Sequence, residues 1–128
     1  MTQLERKTIA TQQAPGAIGP YSQAVQYGNL LFTSGQLGMD ASGQFAPTVE
    51  EQAKRSLLNV KAILEAAGFG MEHIVKTTVF LKDMNDFQSV NEVYASFFAE
   101  PYPARSAVEV ARLPKDGLVE IEVVASKP

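Results

Sequence analysis

Arg105 stands in Pro101-Tyr102-Pro103-Ala104-Arg105-Ser106, where two prolines stiffen the approach to a strand. A guanidinium with no acid beside it in sequence offers a planar fork of donors, which suits a carboxylate or phosphate gripped at two points. A surface or interface salt bridge is the plainer use of such a residue. Glu120 lies on the polar row of the strand Leu118–Ala125, whose other row is Val119, Ile121, Val123 and Ala125. If Arg105 shares a row with Ala107 and Glu109, then Val108 and Val110 turn toward the core. Arg105 and Glu120 are then expected on the same, outer side of the sheet. A cation and a carboxylate converging there would bind an anionic substrate and activate a water, or else form an ion pair between subunits.

Three further segments could complete such a site. Asn91 falls close to the apolar stripe of a helix, where its amide needs a partner, most simply neighbouring backbone. Tyr21 follows Gly19-Pro20, a turn that fixes its direction, and serves either a site or plain packing. Ser34-Gly35-Gln36 ends a strand at a glycine, where backbone can approach a ligand or simply turn.

Composition removes most competing chemistries. The 128 residues contain no Cys, no Trp and one His. Disulfides, thiolate nucleophiles, zinc fingers and iron–sulfur clusters are excluded, and one chain cannot build a multi-His metal site. His73 has no metal set around it in sequence and is expected at the surface before a strand. No G-x-S-x-G elbow accompanies it. Gly16-Ala17-Ile18-Gly19 lacks the strand and helix that a phosphate loop requires. A net charge of −3 argues against a broad nucleic-acid face. The chemistry must run on carboxylates, Arg, Lys, Tyr, hydroxyls, amides and backbone.

The elements that position these residues form a single expected domain, residues 1–128. That length buries about two-thirds of the unfolded surface without staples. Thr48 and Glu51 read as a capping box for a helix over Val49–Ala67, closed by Gly68 as a left-handed cap. Its stripe is Val49, Ala53, Leu57, Val60, Leu64 and Ala67. A second helix is expected over Asp86–Phe98, capped by Asn85, with Phe87, Val90, Tyr94 and Phe97/Phe98 on its apolar face. Ser22–Tyr27 and Leu30–Ser34 flank the hairpin turn Gly28-Asn29. Ile74–Lys82 suggests a crossover strand after the first helix. Ser106–Arg112 and Leu118–Ala125 are joined by Pro114-Lys115-Asp116-Gly117, read as a plain turn. Thr8–Ala10 could add an edge strand. The expected fold is α+β: a mixed sheet with two helices on one face.

Two helices cover one face only, yet Leu30–Ser34 and Val75–Leu81 have no clearly polar row. The uncovered, half-apolar face predicts a homo-oligomer. No apolar run approaches the roughly 18 residues of a membrane span. The charged start Met1–Lys7 lacks a secretory h-region, so a cytoplasmic location is expected.

The longest ordered stretch, Pro103-Ala104-Arg105-Ser106-Ala107-Val108-Glu109-Val110-Ala111-Arg112-Leu113-Pro114-Lys115-Asp116 with Val119-Glu120-Ile121-Glu122, closely resembles the RidA/YjgF family of reactive-intermediate deaminases. Ala17–Ala24, Thr33–Gln36 and Val75–Asp83 support it. The resemblance implies a chorismate-mutase-like fold, assembled as a homotrimer around a central β-barrel with helices outside and sites in the intersubunit clefts. It implies hydrolysis of 2-imino acids, such as 2-iminobutanoate and 2-iminopropanoate, to 2-oxo acids and ammonia, with no metal or organic cofactor. Carried onto this chain, Arg105 clamps the substrate carboxylate and Glu120 orients the attacking water. Backbone at Gly35 and Ala107 lines the pocket, and Tyr21, Ser34 and Asn91 shape its wall.

In one respect the chain departs from the family. Many members carry Cys where this chain has Ala107, so either the reaction needs no thiol or this protein is inactive. A water mechanism uses only backbone at that position. The loop Ala99–Tyr102 is also short. A regulator that captures small carboxylates or 2-oxo acids at the same cleft is the alternative function. A ribonuclease role fits poorly with the acidic balance and the lack of a basic aromatic patch.

Overall fold

At Gly28 the backbone takes a left-handed φ of +61° and reverses between Ala24–Tyr27 (β2) and Leu30–Thr33 (β3). This is the hairpin expected of Gly28-Asn29, with Tyr27 paired to Leu30. The computed structural model describes residues 5–128, so Met1–Leu4 of the charged start lie outside the described residues. Arg6–Ile9 (β1) pairs with β2 as the edge strand, beginning two residues before the expected position.

Helix α1 spans Val49–Ala66, and Thr48 Oγ1 accepts the Glu51 N–H at 3.2 Å. At its other end Gly68 adopts φ +80°, the Gly68 amide bonds Glu65 O, and the Phe69 amide bonds Leu64 O. That pair of bonds satisfies carbonyls which the last turn would otherwise leave open. Helix α2 is shorter than expected, Phe87–Ala95. Asp83, not Asn85, caps the turn before it by accepting the Asn85 N–H at 2.9 Å. Ser96 Oγ bonds Val93 O at 2.6 Å and closes the helix ahead of Phe97 and Phe98, which still pack on the core.

The remaining strands are Gln36–Leu37 (β4), Ile74–Leu81 (β5), Ala104–Glu109 (β6) and Val119–Ser126 (β7). The sheet order is β1-β2-β3-β7-β5-β6, with β4 beside β7. β7 runs antiparallel to β3, β4 and β5, so α1 carries the chain over β7. β5 and β6 are parallel, joined through α2. The segment Pro114–Gly117 is therefore not a plain turn, because β5 lies between the strands it connects. Lys115 and Asp116 both sit at positive φ, +55° and +60°. The Arg112 guanidinium holds this turn through two bonds to the Asp116 carboxylate, at 2.7 and 3.2 Å.

Both helices pack on one face, as expected of an α+β domain. The core there includes Leu31, Leu57, Ile63, Leu64, Leu81 and Ile121, all fully buried. Within it α1 also buries a polar row that its apolar pattern conceals. Gln52 bonds Ala46 O and the Leu118 amide, Ser56 bonds Gln36 O, and Asn59 bonds Leu37 O and Met39 O. These bonds fasten β4, whose two residues are too few to hold a ladder alone. Gly38 makes the approach possible, since a Cβ there would lie 2.4 Å from the Gln52 Cα. The other face of the sheet leaves Phe32 43% and Val108 42% exposed, beside half-buried Val25, Phe80 and Val124. No helix among the described residues is long and apolar enough to cross a membrane.

Candidate active site

Residues directly opposite one another in a sheet share a face. Arg105 pairs with Thr77 of β5, and Ala107 with Val79. Thr77 and Val79 are buried beneath the helices, so Arg105 also projects to the helix side. There its guanidinium lies 4.7 Å from the centre of the Tyr94 ring and 5.3 Å from that of Phe87. Arg105 Nη1 donates to Asn91 Oδ1 at 2.6 Å. Phe87, Asn91 and Tyr94 recur at helical spacing along α2, forming a shelf for the cation. The buried Tyr94 hydroxyl in turn shares a 2.8 Å hydrogen bond with Thr77 Oγ1. Held from one side, the guanidinium keeps further donors for an incoming anion.

Glu120 occupies the opposite face. It pairs with Leu37 and Phe80, and Phe80 pairs with Val108 on the uncovered side. Its carboxylate borders a cavity of about 490 Å³ lined by Ile18, Tyr21, Ser34, Gly35, Met39 and Lys115 among others. Burial pushes the Glu120 carboxyl above the usual carboxylate range, and the neighbouring Glu122 charge adds to the rise. No hydrogen bond among the described residues offsets that rise. Ser34 is fixed by its amide to Gln23 O at 2.9 Å and its hydroxyl to Ser22 O at 2.6 Å. Tyr21, 52% exposed, stands at the cavity mouth behind Gly19, whose φ is +120°.

The expected site thus divides in two. Tyr21, Ser34, Gly35 and Glu120 come together, whereas Arg105, Asn91 and Ala107 gather on the helix side. The expectation that Arg105 and Glu120 share the helix-free side is overturned. Thr77 pairs with both Arg105 and Val123, leaving Glu120 two strands and three residues away. Their Cα atoms are roughly 14 Å apart on that spacing, with side chains on opposite faces. β6 is an edge strand, where Val108 and Val110 in one row mimic an inward face. Val108 instead faces outward, and the aromatic shelf draws Arg105 inward.

A sequence model of the family described as Endoribonuclease L-PSP matches residues 11–127. The chain belongs to this family, the RidA/YjgF proteins. It is 58% identical over 123 residues to the 2-iminobutanoate/2-iminopropanoate deaminase of Salmonella typhimurium, covering 93% of this chain and 96% of that protein. The Bos taurus protein of the same name is 54% identical, covering 98% and 93%. Among solved structures, Escherichia coli TdcF with bound serine superposes with a TM-score of 0.92 at 52% identity, covering 95% of this chain and 99% of that one. RidA from Psychrobacter sp. PAMC 21119 gives 0.92 at 48%, covering 94% and 99%.

In this RidA/YjgF chain Ala107 packs against the main core on the Arg105 side. His73 Nδ1 accepts the Gly70 amide at 2.9 Å and is half-buried in a turn before β5. The sequence reading missed Phe87, Tyr94 and Thr77 as supports for Arg105, and Lys115 as part of the cavity wall. For Phe87 and Tyr94 the signal is Asn91, which interrupts an otherwise apolar stripe between them, where an amide needs a polar partner.

Proposed function

We propose that the protein hydrolyses 2-imino acids, among them 2-iminobutanoate and 2-iminopropanoate, to 2-oxo acids and ammonia. In this reading it works as a homotrimer. Its sheets form a central barrel, its helices lie outside, and each cleft joins Arg105 of one subunit to Glu120 of the partner subunit. The relatives at 54 and 58% identity bear the name of that activity. The exposed Phe32 and Val108 on the helix-free face supply the apolar surface that assembly would cover.

The observation that carries the reading is Glu120 itself: a half-buried carboxylate with raised proton affinity, engaged by no hydrogen bond among the described residues and open to a cavity. Such a group suits a general base. An imine carbon is already electrophilic, so the reaction needs a fixed substrate, a placed water and a proton acceptor. Arg105 binds the α-carboxylate at two points, leaving Asn91 and the aromatic shelf to hold the guanidinium plane. Glu120 takes a proton from the water as the water oxygen bonds C2 of the protonated imine, giving a neutral tetrahedral amino alcohol. Glu120 returns that proton to nitrogen, the C–N bond breaks as the hydroxyl proton passes back to Glu120, and ammonia leaves the 2-oxo acid. Tyr21, Ser34 and the backbone at Gly35 line the wall on the Glu120 side, with Asn91 and the Ala107 backbone on the Arg105 side. No step requires a thiol, so Ala107 is compatible with activity.

The test generates 2-iminobutanoate in situ with a dehydratase and follows its loss. Hydrolysis well above the buffer rate is the expected result. Loss no faster than in buffer, with 2-oxobutanoate still bound, would replace the enzyme by a carboxylate-binding regulator.

A further inference from the structure

An ideal Cβ built on Gly35 would lie 2.6 Å from Glu120 Cδ, 2.7 Å from Oε2 and 2.9 Å from Cγ. Those separations are far inside van der Waals contact, so any side chain at 35 would compete with Glu120 for the same space. Gly35 is not among the residues at positive φ. What glycine supplies here is volume rather than an unusual backbone conformation. The atoms it admits belong to the end of a flexible side chain, so a methyl group would drive the carboxylate away before it distorted the strand.

Retreat of the backbone is blocked on both sides. Ser34 is tied to Ser22 and Gln23, while the Gln36 carbonyl accepts from the buried Ser56 hydroxyl at 2.6 Å. We infer that Gly35 is a positioning residue for Glu120: its missing side chain forms the slot that seats the carboxylate against the segment leading into β4. This goes beyond a wall of backbone lining the pocket, and it rests on Glu120 acting as the base.

The slot also controls how much water reaches the carboxylate. Around Glu120, β4 contributes Leu37 and β5 contributes Phe80, both apolar, while Glu122 follows on the same strand face. Lys115 and Tyr21 are the other titratable groups of the same chain lining the cavity, and in the proposed trimer Arg105 of the neighbouring copy faces it in wild type and variant alike. Pushed toward the cavity, Glu120 is less buried and its proton affinity falls toward the ordinary range.

The experiment compares wild type, Gly35→Ala and Glu120→Gln as full-length protein on 2-iminobutanoate made in situ. Gly35→Ala should lower kcat roughly 10- to 100-fold, the scale of an ångström-sized misplacement, with KM changed less. The acid limb of kcat should move to lower pH. Wild-type kcat, or a loss with an unmoved acid limb, would overturn the assignment. If wild type itself does not hydrolyse the imine, the proposed function has failed, and the slot is judged by NMR titration of Glu120. Its pKa should then be lower in Gly35→Ala, and an equal value would overturn the slot. Should Gly35→Ala not fold, Gly35→Ala/Glu120→Ala must restore folding; a double variant that stays unfolded refutes the contact.

Discussion

Arg105 and Glu120 project from opposite faces of one sheet, with β5 lying between the strands that carry them. No side-chain rotation brings the two together within a chain. Each is instead prepared separately: the cation on an aromatic shelf, the carboxylate beside a glycine. In the proposed trimer, these two groups of opposite charge on opposite faces would meet where one copy abuts the next.

The shelf sets a plane, and a plane matters only to a guanidinium. Arg105→Lys keeps the charge but loses the fork and the fit to Asn91. The expected result is a fall in kcat/KM of roughly 10- to 100-fold, the scale of charge-assisted hydrogen bonds. Steady-state kinetics with equal folded content by circular dichroism checks it.

Tyr94 contributes its ring to Arg105 and its hydroxyl to Thr77, and two substitutions separate these roles. Tyr94→Phe keeps the shelf and should lower stability by about 1 kcal/mol while leaving KM nearly unchanged. Tyr94→Leu should raise KM roughly 3- to 10-fold, the range of a partly exposed cation–π contact. Denaturant titration and KM, measured on both variants, distinguish the outcomes.

Glu120 has a folded-state pKa above its ordinary value, so the native state binds its proton more tightly than the unfolded chain does. Its contribution to stability is fully present below the ordinary carboxyl pKa and is lost as pH rises through the raised one. Glu120→Gln should therefore gain stability relative to wild type across that window. Activity runs the other way, since a base must be ionised, and should fall as pH drops below the raised value. Parallel unfolding and kcat profiles against pH test both signs.

Asn59 is fully buried and bonds Leu37 O and Met39 O at 3.2 and 2.8 Å. Asn59→Leu leaves those carbonyls without their partner and should cost roughly 1–3 kcal/mol. Chemical denaturation measures it, and an unchanged midpoint would show that β4 does not depend on the Asn59 bonds.

Every strand but β4, both helices and the uncovered face were legible because each rests on local spacing, turn glycines and apolar rows. The limits of the second helix were not. Asp83 accepts an amide two residues on and moves the cap, and Ser96 closes the last turn. Nor could alternation give β6 a direction, because an edge strand with valines in one row and Arg105 in the other has no decisive apolar side. The residues that the resemblance assigns to a site fall into two clusters, a division that depends on β5 lying between β6 and β7. That is long-range pairing, which no local pattern encodes. The polar row Gln52, Ser56, Asn59 had helical spacing and could have been read as a second stripe.

The central claim is that Arg105 and Glu120 meet only between subunits. Arg105→Ala and Glu120→Gln should each abolish imine hydrolysis as homotrimers. Unfolded together in equal amounts and refolded, they form a random population of trimers in which about a quarter of all clefts pair an intact Arg105 with an intact Glu120. The expected result is recovery of about a quarter of wild-type activity, since one cleft needs one intact residue from each side. No recovery from trimers shown by mass spectrometry to be mixed would contradict the account.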